Sequence, residues 1–176
     1  TKKNNTIREY ATINTGTMQG GGVTRVGDNN LIMISAHIAH DCIIGNNVIM
    51  SNMATLGGHV SISDWVSLGG GVLVHQFCRI GSHSFIGGGF RAVQDVPPFI
   101  LGAEEPLTFQ GINRIGLKRR GYSVEDRKNI KNIYHIFFKS KINRKDALIK
   151  IKSDFSPSQY RDEIIDFISH SDRGII

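Results

Sequence analysis

Between Val26 and Ile86 the hydrophobic positions repeat every six residues. Val26, Ile32, Ile38, Ile44, Met50, Leu56, Ile62, Leu68, Val74, Ile80 and Ile86 are eleven aliphatic residues at consecutive steps of six. The next position is often glycine (Gly27, Gly45, Gly57, Gly69, Gly81, Gly87). Two positions before each following aliphatic sits a small or β-branched residue: Ala36, Cys42, Val48, Ala54, Val60, Val66, Val72 and Cys78. Neither a helix nor an alternating hairpin strand sustains such a period. A short strand followed by a turn does, and the pattern predicts a β-solenoid, the parallel β-helix of hexapeptide repeats. Three hexads make one coil of 18 residues, with strands of neighbouring coils about 4.8 Å apart.

Upstream, Ile7 and Ile13 keep the step and place residues 1–15 on an earlier coil. The gap from Ile13 to Val26 is 13, one more than two hexads, and the extra residue is assigned to a loop at Thr17–Gly22. Downstream, the repeat fails after Arg91. Asp95-Val-Pro-Pro98 is expected to close the prism, because Pro97 and Pro98 cannot donate to another ladder. The pattern then turns helical. Expected helices are Leu107–Lys118, ending near Gly121, Ser123–Lys139, Asn143–Ile151 and Ser158–His170. Ser123 and Asp126 form a capping box, and Ile130, Ile133, Tyr134 and Phe137 fall on one face of that helix. The chain thus divides into a β-helix over 1–98 and a C-terminal α-helical domain over 99–176, which covers an otherwise open sheet edge.

Composition adjusts this picture in a few places. Aromatic content of 8% suits a narrow prism packed by Ile, Val and Leu, and the 20 glycines suit turns needing positive φ. Cys42 and Cys78 lie in the small-residue column and read as buried free thiols in a reducing compartment. No apolar run of about 18 residues offers a transmembrane segment. The chain starts Thr-Lys-Lys, without Met or a signal-like stretch, which suggests a fragment or a processed chain. The net charge of +6 comes from the region after residue 113. Lys118, Arg119, Arg120, Arg127, Lys128 and Lys131 lack any groove-reading or base-stacking motif, so nucleic acid is not the expected partner. An acidic protein steered by charge fits better.

The chemistry gathers at one turn of the repeat. Counted from coil starts at 26, 44 and 62, His40 sits at offset 14, His59 at 15 and His75 at 13. Gly58 and Gln76 share offset 14 with His40, Asp41 adjoins it, and His37 lies just before. A base, a carboxylate to orient it and an unhindered glycine N–H are the parts of an acyl-transfer site. No Ser or Cys shares those corner offsets, which favours direct attack by an activated hydroxyl over an acyl-enzyme. A zinc site is the competing reading. Isolated His83, His135 and His170 read as surface residues. Of Gly87-Gly88-Gly89, Gly87 is expected to serve the turn.

The order Ser35-Ala-His-Ile-Ala-His-Asp-Cys42, Ala54-Thr-Leu-Gly-Gly-His59, Val74-His-Gln-Phe77, Gln94-Asp-Val-Pro-Pro98 and Gly116-Leu-Lys-Arg-Arg-Gly121 resembles the UDP-N-acetylglucosamine 3-O-acyltransferases of lipid A synthesis. The resemblance covers nearly the whole chain. It implies a cytoplasmic homotrimer of left-handed β-helices with active sites between subunits, no cofactor, and an acyl carrier protein thioester as co-substrate. It also implies roles: His40 as general base, Asp41 as its orienter and the Gly58 N–H as oxyanion donor. His37, His59, His75 and Gln76 would line the cleft for UDP-N-acetylglucosamine and the acyl arm, Gly88 would measure that arm, and Asn113 and Arg119 would hold the nucleotide. The N-terminal coils of such enzymes, with a loop lysine that helps bind the sugar nucleotide, are missing here. Asn14 stands where some members carry histidine, and Arg114 replaces an acidic residue. Two relatives by repeat stay open: an N-acyltransferase of the same pathway and a trimeric zinc hydratase. A non-catalytic solenoid scaffold is the third alternative.

Overall fold

The computed structural model describes all 176 residues. Fourteen two-residue strands, from Thr6–Ile7 to Arg91–Ala92, wind around three parallel faces as a β-solenoid. The first face stacks Thr6–Ile7, Leu31–Ile32, Ile49–Met50, Ser67–Leu68 and Phe85–Ile86. The second stacks Thr12–Ile13, His37–Ile38, Thr55–Leu56, Leu73–Val74 and Arg91–Ala92. The third stacks Arg25–Val26, Ile43–Ile44, Ser61–Ile62 and Arg79–Ile80. From Arg25–Val26 onward the second residue of each strand is buried, and Ile38, Met50, Leu56, Leu68, Ile80 and Ile86 are fully so. The small-residue column fills the space at the turns. Cys42 and Cys78 are both buried and free, as their column requires.

The first coil differs from expectation. Thr6 pairs with Leu31 and Ile13 with Ile38, a separation of 25 rather than 18. Ile13 and Val26 therefore sit on adjacent faces, and the excess between them is seven residues, not one. A gap of 13 can be counted as two hexads plus one or as one hexad plus seven. Sequence spacing does not decide between them; strand pairing does.

The turns also work differently. The positive-φ position falls on Ser35, Asp41, Asn47, Met53, His59, Trp65, Gly71, Phe77, His83 and Gly89, with φ from 55° to 79°. Most of these are not glycine. The left-handed backbone costs a non-glycine residue about 1–2 kcal/mol. That cost is offset by a ladder rung, because each N–H reaches the preceding coil: Asn47 donates to the Asp28 carbonyl at 2.9 Å and His59 to that of His40 at 3.0 Å. The glycines after the core aliphatics instead permit close approach of the coils. A Cβ on Gly57 would stand 2.7 Å from Gln76 N, and one on Gly69 or Gly81 would meet the backbone of Gly88 or Pro98. In the glycine triplet, Gly89 takes the positive φ, whereas Gly87 makes room for the Phe90 ring.

The prolines do not end the ladder. Gly81 donates to the Val96 carbonyl at 2.7 Å, and Ile100–Ala103 then adds a parallel strand to the first face. Thr108–Ile112 pairs with it antiparallel. The helix expected over 107–118 is thus a strand followed by the short α1, Arg114–Arg119. Gly111 at φ 113° is incompatible with a helix there, and the edge of the first face offers the segment a strand partner. Three longer helices follow: α2 (Val124–Lys139), α3 (Arg144–Asp154) and α4 (Gln159–Ser169), capped by Ser123, Asn143 and Ser158. The Ser123–Asp126 capping box forms in both directions. Ile130, Ile133, Tyr134, Ile164 and Ile168 pack into the same core cluster as Ile86 and Phe99, so helices and solenoid share one interior. No helix is long and apolar enough to cross a membrane.

Candidate functional site

The corner where the second face turns into the third carries the histidines. Asp41 occupies the positive-φ position of its turn, with its side chain only 1% exposed. Its carboxylate is fully engaged. His40 Nδ1 lies 2.8 Å from Oδ2, the Thr17 hydroxyl donates to Oδ2 at 2.7 Å, and the Thr17 N–H donates to Oδ1 at 2.9 Å. Burial works against the charge, but the bonds from His40 and Thr17, with His59 close by, outweigh it and hold the carboxyl below its usual range. Asp41 is therefore an ionised acceptor, and it fixes His40 as the Nδ1–H tautomer with the lone pair on Nε2.

The opposite edge of the His40 ring lies against Gly58. A Cβ there would stand 2.6 Å from His40 Cε1 and 2.8 Å from Nε2, so only glycine fits beside the ring. The Gly58 N–H makes no backbone hydrogen bond, while its carbonyl accepts from Phe77 N. The ring edge that carries Nε2 thus lies against Gly58, whose N–H has no backbone partner.

His59 occupies the position one coil above Asp41, not above His40. Its Nε2 is 3.7 Å from Asp41 Oδ2, and its ring meets His40 edge-on at 5.2 Å between centroids. Phe77, one coil further, stacks flat on His59 at 4.7 Å. His75 and Gln76 continue the corner as exposed residues, and the C-terminal Arg173 reaches His75 Nδ1 at 3.2 Å. His37 points outward from the second face and meets the Thr12 hydroxyl at 2.7 Å. Cys42 lies beneath the corner and donates to the Gly57 carbonyl. Burial pushes its thiol upward, so it is no nucleophile.

Three of the expected site residues lie elsewhere. Gly88 is at the turn from the first to the second face. Asn113 is beside the turn from the third to the first, where it caps α1 and donates to the His83 carbonyl at 2.8 Å. Arg119 is exposed on α1. A single chain does not bring these three to the histidine corner. His83 is not the surface residue its isolation suggested. It is sandwiched between Trp65 and Phe99, and burial, with Arg120 nearby, lowers its pKa to about 4. Thr17 and Phe77 escaped sequence reasoning as site residues. Phe77 was findable, since it shares offset 15 with Asp41 and His59; Thr17 was not, because its loop lies outside the repeat.

A metal has one candidate place. The donor atoms of His40, Asp41 and His59 lie within 4.8 Å of one another. Zinc with ligands at about 2.0–2.1 Å would need the His40–Asp41 and Thr17–Asp41 bonds to open.

Comparison with known proteins places these features in context. A family described as UDP N-acetylglucosamine O-acyltransferase, domain 2, matches residues 95–176, and bacterial transferase hexapeptide repeats match residues 24–58. Acyl-[acyl-carrier-protein]–UDP-N-acetylglucosamine O-acyltransferases of Paraburkholderia phymatum and Burkholderia orbicola are 43% identical over 98% of this chain, which spans 67% of their length. Solved UDP-N-acetylglucosamine acyltransferases are similar throughout. That of Francisella novicida superposes with a TM-score of 0.94 at 42% identity, over 98% of this chain and 63% of the other. That of Bacteroides fragilis gives 0.95 at 45% identity, over 98% and 68%.

Proposed function

Because this chain belongs to the UDP-N-acetylglucosamine O-acyltransferase family, we propose that the protein carrying it transfers a 3-hydroxyacyl group from acyl carrier protein to the sugar 3-hydroxyl of UDP-N-acetylglucosamine. The observation that supports this most directly is the His40 imidazole held between an ionised Asp41 and the unhindered Gly58. His40 Nε2 takes the proton of the attacking hydroxyl as its oxygen bonds to the thioester carbon. The Gly58 N–H receives the oxyanion of the tetrahedral intermediate. Collapse breaks the C–S bond, and the imidazolium returns its proton to the departing sulfur. Asp41 stabilises the imidazolium and needs no proton of its own.

A trimer completes the reading. Ile43, Leu73 and Phe77 are 53%, 46% and 51% exposed on the outer faces and corner, an apolar surface suited to contact between copies. Such packing would let Asn113 and Arg119 of one copy approach the histidine corner of the next and hold the nucleotide, for which a guanidinium fork suits phosphate. Gly88, exposed and without a side chain, would bound the acyl groove. The basic helical end would receive the acidic carrier protein, and a cytoplasmic location would supply it.

The test is His40→Ala in the full-length protein. Turnover should fall by about 10²–10⁴ with oligomeric state unchanged. Undiminished turnover would remove His40 from the mechanism. The compact His40–Asp41–His59 set keeps a zinc hydratase as the second reading, and stoichiometric zinc lost on mutating His40 and His59 would favour it.

A further inference from the structure

The seven-residue insertion of the first coil is extruded at the same corner as the histidines, between Ile13 on the second face and Val26 on the third. It folds onto Asp41. Gly20 N and Gly22 N both donate to the Thr17 carbonyl, at 3.1 and 2.7 Å, closing the loop on itself. A side chain on Gly20 would collide with the Asp41 carboxylate, so the loop backbone lies flush against that group. Thr24 accepts the Asp41 N–H at 2.9 Å from the other side. The groups facing the carboxylate are thus Thr17 twice, Gly20, His40 and, at 3.7 Å, His59.

We propose that Thr17 is a positioning residue of the acyl transfer, acting on His40 through Asp41. This inference rests on His40 serving as the base. Each carboxylate oxygen has a fixed donor on Thr17, so the carboxylate can neither rotate away from His40 Nδ1 nor be reached by solvent on that side. The Thr17 hydroxyl and His40 share Oδ2, so the oxygen that orients the imidazole is itself fixed by Thr17. Removing the hydroxyl leaves Oδ2 to His40 alone and loosens the carboxylate. The imidazole becomes less well aimed.

The experiment compares Thr17→Val and Thr17→Ser with wild type in the full-length protein, following kcat and KM for the sugar nucleotide. Thr17→Val keeps the shape and the N–H. It should lower kcat about tenfold, the smaller effect of losing a hydrogen bond to a charged group. KM should stay unchanged, a split that a general loss of folding would not produce. Thr17→Ser should restore kcat. Gly20→Ala leaves the Thr17 side chain intact but pushes the loop, Thr17 included, off the carboxylate, and should lower kcat at least as far with KM unchanged. In a His40→Ala background, Thr17→Val should add nothing.

Wild-type kcat in Thr17→Val overturns the proposal, as does a loss that Thr17→Ser fails to rescue. If His40→Ala itself turns over normally, the base assignment fails first. If His40→Ala is inactive while Thr17→Val is normal, only the present inference fails.

Discussion

A histidine changes meaning here with its surroundings. His40 keeps 42% of its side chain exposed and lies against an ionised carboxylate, open to a substrate at the site. His83, seven turns further along the repeat, is walled in by Trp65, Phe99 and Tyr122, and burial with Arg120 nearby outweighs the pull of Asp64, so it stays neutral. Its folded pKa of about 4 lies below the ordinary 6.5, so between those values the unfolded chain binds a proton that the folded one refuses. Stability should therefore fall as pH drops from about 6.5 towards 4. Urea midpoints at pH 7.0 and 4.5 measure the effect. His83→Phe, which keeps the stack and removes the titration, should show a shallower fall; parallel curves would show that His83 carries none of it. The sequence disclosed the first histidine and not the second, because offsets report which corner a residue occupies and not what lies over it.

At the level of the coil, two kinds of position demand little or no side chain for unlike reasons. Gly57 faces the next coil's backbone at Gln76 and has no room for a methyl group. Gly71 has φ 69° and nothing nearer than 4.0 Å, in a column whose other members include Asn47 and Asp41. Gly57→Ala should cost about 1–3 kcal/mol through overpacking. Gly71→Asn should cost less than about 1 kcal/mol, since asparagine visits the left-handed region readily. Equal losses in denaturant unfolding would sink the distinction. The strands themselves were fully legible from Val26 to Ile86, because a period of six leaves one way to bury every aliphatic. Residues 107–112 were misread as helix. Their apolar spacing fits both structures, and the deciding factor, an open edge beyond Ile100–Ala103, belongs to the tertiary fold.

The whole molecule separates its labours along the axis. The solenoid carries the histidine corner, and the helical end carries the positive charge, with Lys118, Lys128, Lys131 and Lys139 all exposed. Reversing Arg127 and Lys128 to glutamate should raise the KM for the carrier-linked donor and flatten its salt dependence, because screening acts only on attraction that exists. Unchanged salt sensitivity would reduce those charges to solubility. How Gly88, Asn113 and Arg119 join the histidines is not legible in the repeat, since they lie at other corners of one chain and would meet the histidines between chains in the trimer proposed above. The seven-residue loop has a further consequence, for how such a gene can change length. An added or lost stretch of 18 codons returns every later residue to its own face. Any other length would rotate the remaining sequence around the prism unless the surplus is expelled at a corner. The surplus of seven is expelled at the histidine corner, and it is what carries Thr17 to Asp41.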